Sequence, residues 1–69
     1  MEKERVGLKI LRVKHKLTQK ELAAKVGVSY PTYNLIEQGK RKGSYEFWSQ
    51  LKQQFNLTDA DISEMYEND

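Results

Sequence analysis

The stretch Thr18 to Arg41, TQKELAAKVGVSYPTYNLIEQGKR, decides how this chain is read. Thr18 followed three residues later by Glu21 has the form of a capping box, in which each side chain satisfies a backbone N–H of the other residue, so a helix starts there. Leu22, Ala23 and Val26 then recur at helical spacing, and Gly27 stops the run as a residue free to take left-handed backbone. Ser29 can cap a second helix. Pro31 sits in the first turn of that helix, where a missing N–H costs little. Tyr33 and Ile36 lie one turn apart on one side of it, and Gly39 ends it. The spacing predicts helices over about Gln19 to Val26 and Tyr30 to Gln38.

Outward from this unit the same signals continue. A first helix is expected from about Lys3 to His15, with Val6, Leu8, Ile10, Leu11 and Val13 forming a broad apolar stripe. Gly39 to Gly43, GKRKG, reads as a basic loop bracketed by glycines. Ser44 can cap a fourth helix whose apolar residues are Tyr45, Phe47, Trp48, Leu51 and Phe55, with Asn56 as a left-handed terminator. Thr58 caps a short fifth helix through about Tyr66, with Ile62 and Met65 inward. Glu67 to Asp69 read as a frayed end. No strand, repeat or low-complexity segment emerges, so the expected fold is all-α. Phe47 and Trp48 are adjacent, and successive helical residues point about 100° apart. Phe47 is therefore either partly exposed or on a second buried surface.

Composition sets the bounds. With 69 residues the chain is expected to be one domain, 1–69. It has no cysteine and a single histidine, His15, which excludes a disulfide framework and a thiolate or histidine-rich metal site. No signal-peptide pattern and no membrane-length apolar run is present, which points to a cytoplasmic chain. The net charge of +2 hides a division. Residues 1–43 hold 11 Lys and Arg against 4 acids, a surplus of +7, while residues 44–69 hold Lys52 against 6 acids, a deficit of −5. A basic face on nucleic acid with an acidic face turned away fits this division. No nucleophile–base pair or paired-carboxylate arrangement argues for an enzyme, and no cofactor or small-molecule ligand is implied.

Two short capped helices across a glycine turn form the unit that sets its second helix into the major groove of DNA. The residue order resembles the Cro/repressor-type helix-turn-helix family, also called the XRE family. The resemblance starts at Leu11-Arg12, passes through LTQKELAAKVGVS (Leu17 to Ser29) and IEQGKR (Ile36 to Arg41), and reaches FNLT (Phe55 to Thr58). It implies a compact five-helix bundle of the lambda-repressor-like type, with the helix-turn-helix unit over 18–38 and acidic helices over 44–66. It also implies a transcriptional regulator, most simply a Cro-like repressor of phage or mobile-element type, that binds double-stranded operator DNA as a homodimer.

The resemblance also gives site residues, position by position. Gln19 matches a residue that bonds a DNA phosphate at the start of helix two, where free N–H groups and partial positive charge favour an anion. Arg12 and Glu37 match a partly buried salt bridge between helices one and three; a phosphate contact is the other reading of Arg12. Tyr30, Pro31, Thr32 and Leu35 match positions that meet base edges or adjacent phosphates, and Asn34 is the amide nearest the centre. Tyr30 and Leu35 depart from the polar residues common at their positions and lack the bidentate fork that reads guanine or adenine. Pro31 and Leu35 instead suit thymine methyl groups. The other reading of Tyr30 and Leu35 is packing against the domain or a protein partner. Lys40, Arg41 and Lys42 are expected on the sugar-phosphate backbone, against the plainer reading of a solvated charge run. Lys14, His15, Lys16 and Lys20 are weaker candidates. Phe47, Met65 and Tyr66 are candidates for a homodimer contact. An antitoxin or antirepressor that uses this fold to bind another protein is the alternative function.

Overall fold

The computed structural model describes residues 3–67. Among them are five helices: α1 (Val6–Lys14), α2 (Gln19–Lys25), α3 (Tyr30–Glu37), α4 (Tyr45–Phe55) and α5 (Asp59–Glu67). No strand occurs among the described residues. The chain is an all-α helix-turn-helix fold. Helix α2 packs on α3, α1 lies against both α3 and α5, and α4 packs on α5.

Local chemistry writes most of the boundaries. Thr18 and Glu21 form the reciprocal capping box, with Thr18 N–H donating to Glu21 Oε1 at 2.8 Å and Glu21 N–H to Thr18 Oγ1 at 3.1 Å. Ser29 and Ser44 accept from Thr32 N–H and Phe47 N–H, and Thr58 exchanges the same pair of bonds with Asp61. At the other end of α2, Gly27 has φ 78° and the Val28 N–H reaches back to the Ala23 carbonyl at 3.0 Å, which closes the helix. Asn56 takes φ 54°, as its place after Phe55 suggests. Lys16, at φ 57°, ends α1 in the same way without a glycine.

The core joins Leu8, Leu11, Leu22, Ala23, Val26, Tyr33, Ile36, Phe47, Trp48 and Leu51, with Leu17, Phe55, Leu57, Ile62 and Met65 packed around it. Three expectations need correction. Helix α1 begins at Val6 rather than Lys3: Arg5 takes non-helical backbone, φ −84° and ψ 83°, and its N–H donates to the Glu37 carbonyl at 2.8 Å. Its apolar stripe is not all inward: Val6, Ile10 and Val13 are 53%, 60% and 57% exposed, and only Leu8 and Leu11 are buried. Phe47 is 1% exposed and shares the core with Trp48, the rings meeting edge to face at 4.9 Å. Both fit inward because they straddle the centre of the buried face of α4, which pushes Tyr45 out to 87% exposure. The frayed end expected over Glu67 to Asp69 falls outside the described residues beyond Glu67, which still closes α5.

Candidate nucleic-acid interface

The two ends of α3 carry different chemistry. At the N-terminal end, Tyr30 and Pro31 are exposed, and the Lys20 ammonium lies 5.8 Å from the Tyr30 ring centroid. Thr32 is half-buried, tied to the cap through a 2.8 Å bond from Ser29 Oγ to Thr32 Oγ1. Leu35 is half-buried. At the C-terminal end the chain turns at Gly39 into Lys40, Arg41 and Lys42, all exposed. Gly39 has φ 82°, and a Cβ there would overlap the Lys3 carbonyl, so the arm before α1 lies directly across this turn.

A buried polar network links α1, α2 and α3. Glu37, 4% exposed, accepts from Arg12 Nε at 2.9 Å and Tyr33 Oη at 2.7 Å on Oε1, and from Gln19 Nε2 at 2.6 Å on Oε2. Arg12 also donates to the Leu17 carbonyl at 3.0 Å. The network continues outward: Asn34 Nδ2 donates to Gln19 Oε1 at 3.0 Å, and Gln38 Nε2 donates to Asn34 Oδ1. Burial pushes the Glu37 acid up, but the bonds from Arg12, Tyr33 and Gln19 outweigh it and hold its pKa below the usual carboxylate range. The bond to Glu37 raises the Arg12 pKa, while burial and then the Glu37 bond raise that of the Tyr33 phenol. All three therefore keep their charge states across the physiological range.

This network brings together Arg12, Gln19, Asn34 and Glu37, and it limits what the amides can do. Gln19 and Gln38 each take one bond of the Asn34 amide and fix its orientation, so its second N–H and second oxygen lone pair can be offered only in that orientation. Gln19 keeps one N–H to offer, at the N-terminus of α2. A surface cleft of about 530 Å³ opens beside it, lined by Lys9, Arg12 and Lys40, by the acids Glu4 and Glu37, and by Gln19 and Gln38. Lys9 joins the candidate residues through this cleft. In the sequence it is one more lysine of the basic half, with no motif to single it out.

The dimer candidates separate. Phe47 lies within the core and offers no surface to a second copy. Met65 is half-buried with its side chain against Gly7, and Tyr66 remains exposed while its ring meets Trp48 edge to face at 5.7 Å. His15 is exposed, and its ring meets Phe55 at a tilt of 57° with centroids 4.8 Å apart.

A family model described as helix-turn-helix matches residues 8–62. An uncharacterized HTH-type transcriptional regulator, MJ0272, of Methanocaldococcus jannaschii is 40% identical over 62 residues, which covers 90% of this chain and 92% of that protein. The chain belongs to the XRE-type helix-turn-helix family. No solved structure matches the chain at a significant level. The family is one of DNA-binding transcriptional regulators, and the helix-turn-helix of this member is α2–α3 with Gly27 at its turn. Among its described residues no helix is long and apolar enough to cross a membrane, and no cluster of His, Cys, Asp or Glu is arranged to hold a metal ion.

Arg5 and Trp48 bond the backbone of the basic loop, a contact that no local sequence signal announces. Arg5 is 6% exposed, and one guanidinium nitrogen, Nη1, donates to the carbonyls of Ile36 at 2.6 Å and Arg41 at 2.7 Å. Its Nε reaches the Tyr66 carbonyl at 3.4 Å, and its guanidinium lies 5.6 Å from the rings of both Trp48 and Tyr66. Burial lowers its pKa, partly offset by Tyr66. The second is Trp48, whose Nε1–H donates to the Lys42 carbonyl at 2.8 Å. Only the tertiary fold brings either residue to the basic loop, 36 residues from Arg5 and six from Trp48.

Proposed function

We propose that this protein is a sequence-specific regulator, a Cro-like repressor, that lays α3 in the major groove of operator DNA. The observation that carries this reading is the bracketing of α3 by phosphate-binding chemistry. The N-terminus of α2 is tied to its middle through Gln19 and Asn34, and three exposed cations follow its C-terminus. A helix so bracketed meets one backbone strand at each side of the groove. Tyr30, Pro31, Thr32 and Leu35 are the groove residues of this reading. Base preference in this reading rests on thymine methyl contacts from Pro31 and Leu35.

A single copy spans at most 28 Å, short of the roughly 34 Å that separates half-sites one DNA turn apart. Occupation of a two-fold operator therefore takes two copies. The apolar row Val6, Ile10 and Val13, beside Met65 and Tyr66 at the end of α5, is the surface we assign to their contact. Three half-exposed side chains make a small interface, of the kind that holds only with both copies on DNA. Selection of bound sites from random duplex DNA tests the reading. It should return a two-fold motif with thymines in each half-site, and recovery of no motif would remove sequence-specific binding. The same apolar row also favours a second reading, in which this fold engages another protein as an antitoxin or antirepressor. No DNA binding at low salt, together with a stable protein complex that Ile10→Glu abolishes, would select it.

A further inference from the structure

The loop that carries Lys40, Arg41 and Lys42 is held by two buried donors from distant parts of the chain. Successive carbonyls of this loop turn inward: Arg41 O to Arg5 Nη1 at 2.7 Å and Lys42 O to Trp48 Nε1 at 2.8 Å. Arg5 has no ion pair with a carboxylate among the described residues. A buried guanidinium is costly, and it persists where its hydrogen bonds and ring contacts replace hydration. Its partners are the last turn of α3 through Ile36 O, the loop through Arg41 O and α5 through Tyr66 O. The arm that bears it is itself fixed, by the Arg5 N–H on Glu37 O and by the contact of the Lys3 carbonyl at Gly39. On the other side, Gly43 has φ 84°, and a Cβ there would stand 2.9 Å from Trp48 Nε1, so the loop backbone runs flat against the indole.

With these two carbonyls bonded inward, the Lys40, Arg41 and Lys42 side chains stand exposed. We infer that Arg5 and Trp48 are positioning residues for DNA binding: by pinning the Arg41 and Lys42 carbonyls they pre-order the cationic loop. The loop then meets the phosphates without an ordering cost at the moment of binding. The inference rests on the reading of Lys40 to Lys42 as phosphate contacts and adds what aims them. It also gives the aromatic pair around Arg5 a role beyond packing, since Trp48 and Tyr66 hold the guanidinium from two sides.

Trp48→Phe keeps an aromatic ring in the core and removes the donor to Lys42, together with part of the indole's packing on Arg5 and Tyr66. Arg5→Lys keeps the charge and stem but cannot reach both Ile36 O and Arg41 O in the same geometry. Two measurements decide. The first is amide relaxation of Arg41 and Lys42 by NMR in the free protein. Order parameters should fall in both variants from the rigid range near about 0.85 towards 0.6 or below. The second is the salt dependence of binding to a mixed-sequence duplex. Affinity, corrected for the folded fraction read from urea unfolding, should fall several-fold with the salt slope unchanged, because the same phosphates are met once the loop has been ordered at the expense of binding. General destabilisation alone would lower affinity only by the folded fraction. Rigid Arg41 and Lys42 amides in both variants, or an unchanged corrected affinity despite a mobile loop, would overturn the inference. Failure of the unsubstituted protein to bind any duplex at low salt would remove the DNA reading instead. The relaxation measurement, made without DNA, would still show whether the two donors hold the loop.

Discussion

The outer face of α3 and the basic loop after it are neighbours in sequence and opposites in chemistry. On α3 the polar groups are turned upon one another: Gln38 bonds Asn34, Asn34 bonds Gln19, and Gln19 bonds the buried Glu37. In the loop the backbone is bonded inward and the three cations are left to solvent. The difference teaches where affinity and selectivity come from. A face whose amides are tethered to one another can offer its remaining donors and acceptors only in the orientation the network fixes. An ordered, unpaired cation releases counterions and gives up no internal partner.

The largest effect expected from disturbing this contrast is on the network side. Glu37→Gln leaves Arg12 without its counter-charge in a partly buried site and should cost about 3 kcal/mol, read as a lowered midpoint in urea unfolding. A domain of this size has little stability to spare. The same residue gives a pH dependence. Its folded pKa lies below the ordinary carboxylate value of about 4.3, so its contribution is present above that pH and is lost as pH falls through the folded value. The unsubstituted protein should lose stability across that acid window, and Glu37→Gln should show a flatter curve there. An identical curve in the two proteins would mean that the network does not hold Glu37 ionised.

On the loop side, replacing Lys40, Arg41 and Lys42 together by Ala should weaken binding to any duplex about a hundredfold at physiological salt and lower the salt slope by about three. Base preference in a selected site should not change. A smaller effect is expected from Leu35→Ala: about 1 kcal/mol lost on sites with thymine at the contacted position and little elsewhere. Equal losses on all sequences would place Leu35 in packing rather than in the groove. The smallest change lies outside both regions. Lys16 holds left-handed backbone that glycine adopts without cost, so Lys16→Gly should stabilise the fold by up to about 1 kcal/mol. Its DNA salt slope should stay as it was, and a fall of about one would make Lys16 a phosphate contact as well.

Legibility in the sequence depends on the range of the interaction. Thr18, Ser29, Ser44 and Thr58 start helices, and Gly27, Gly39 and Asn56 stop them, through bonds to residues at most five away, so their signals survive in one dimension. The start of α1 escapes a local reading because Arg5 is held out of the helix, its N–H bonded to a carbonyl 32 residues later. The burial of Phe47 and the exposure of Val6, Ile10 and Val13 depend on which neighbours each helix meets, and helical spacing cannot distinguish a core-facing stripe from an unpartnered one. The site divides in the same way. Arg12 and Glu37 are legible through the family resemblance and form the bridge at 2.9 Å. Asn34 is free on a helical projection, yet α2 supplies Gln19 to occupy it. Arg5, Trp48 and Lys9 carry no motif, and only the folded chain brings them to the interface.

The measurement that weighs most is a titration of the unsubstituted protein with duplex DNA of mixed sequence over a range of salt. Steep, linear loss of log K with log salt, with a slope that accounts for at least the three loop cations, is the predicted result. A shallow slope, or no binding at the lowest salt, would contradict the account of α3 and its basic loop as a DNA-binding surface.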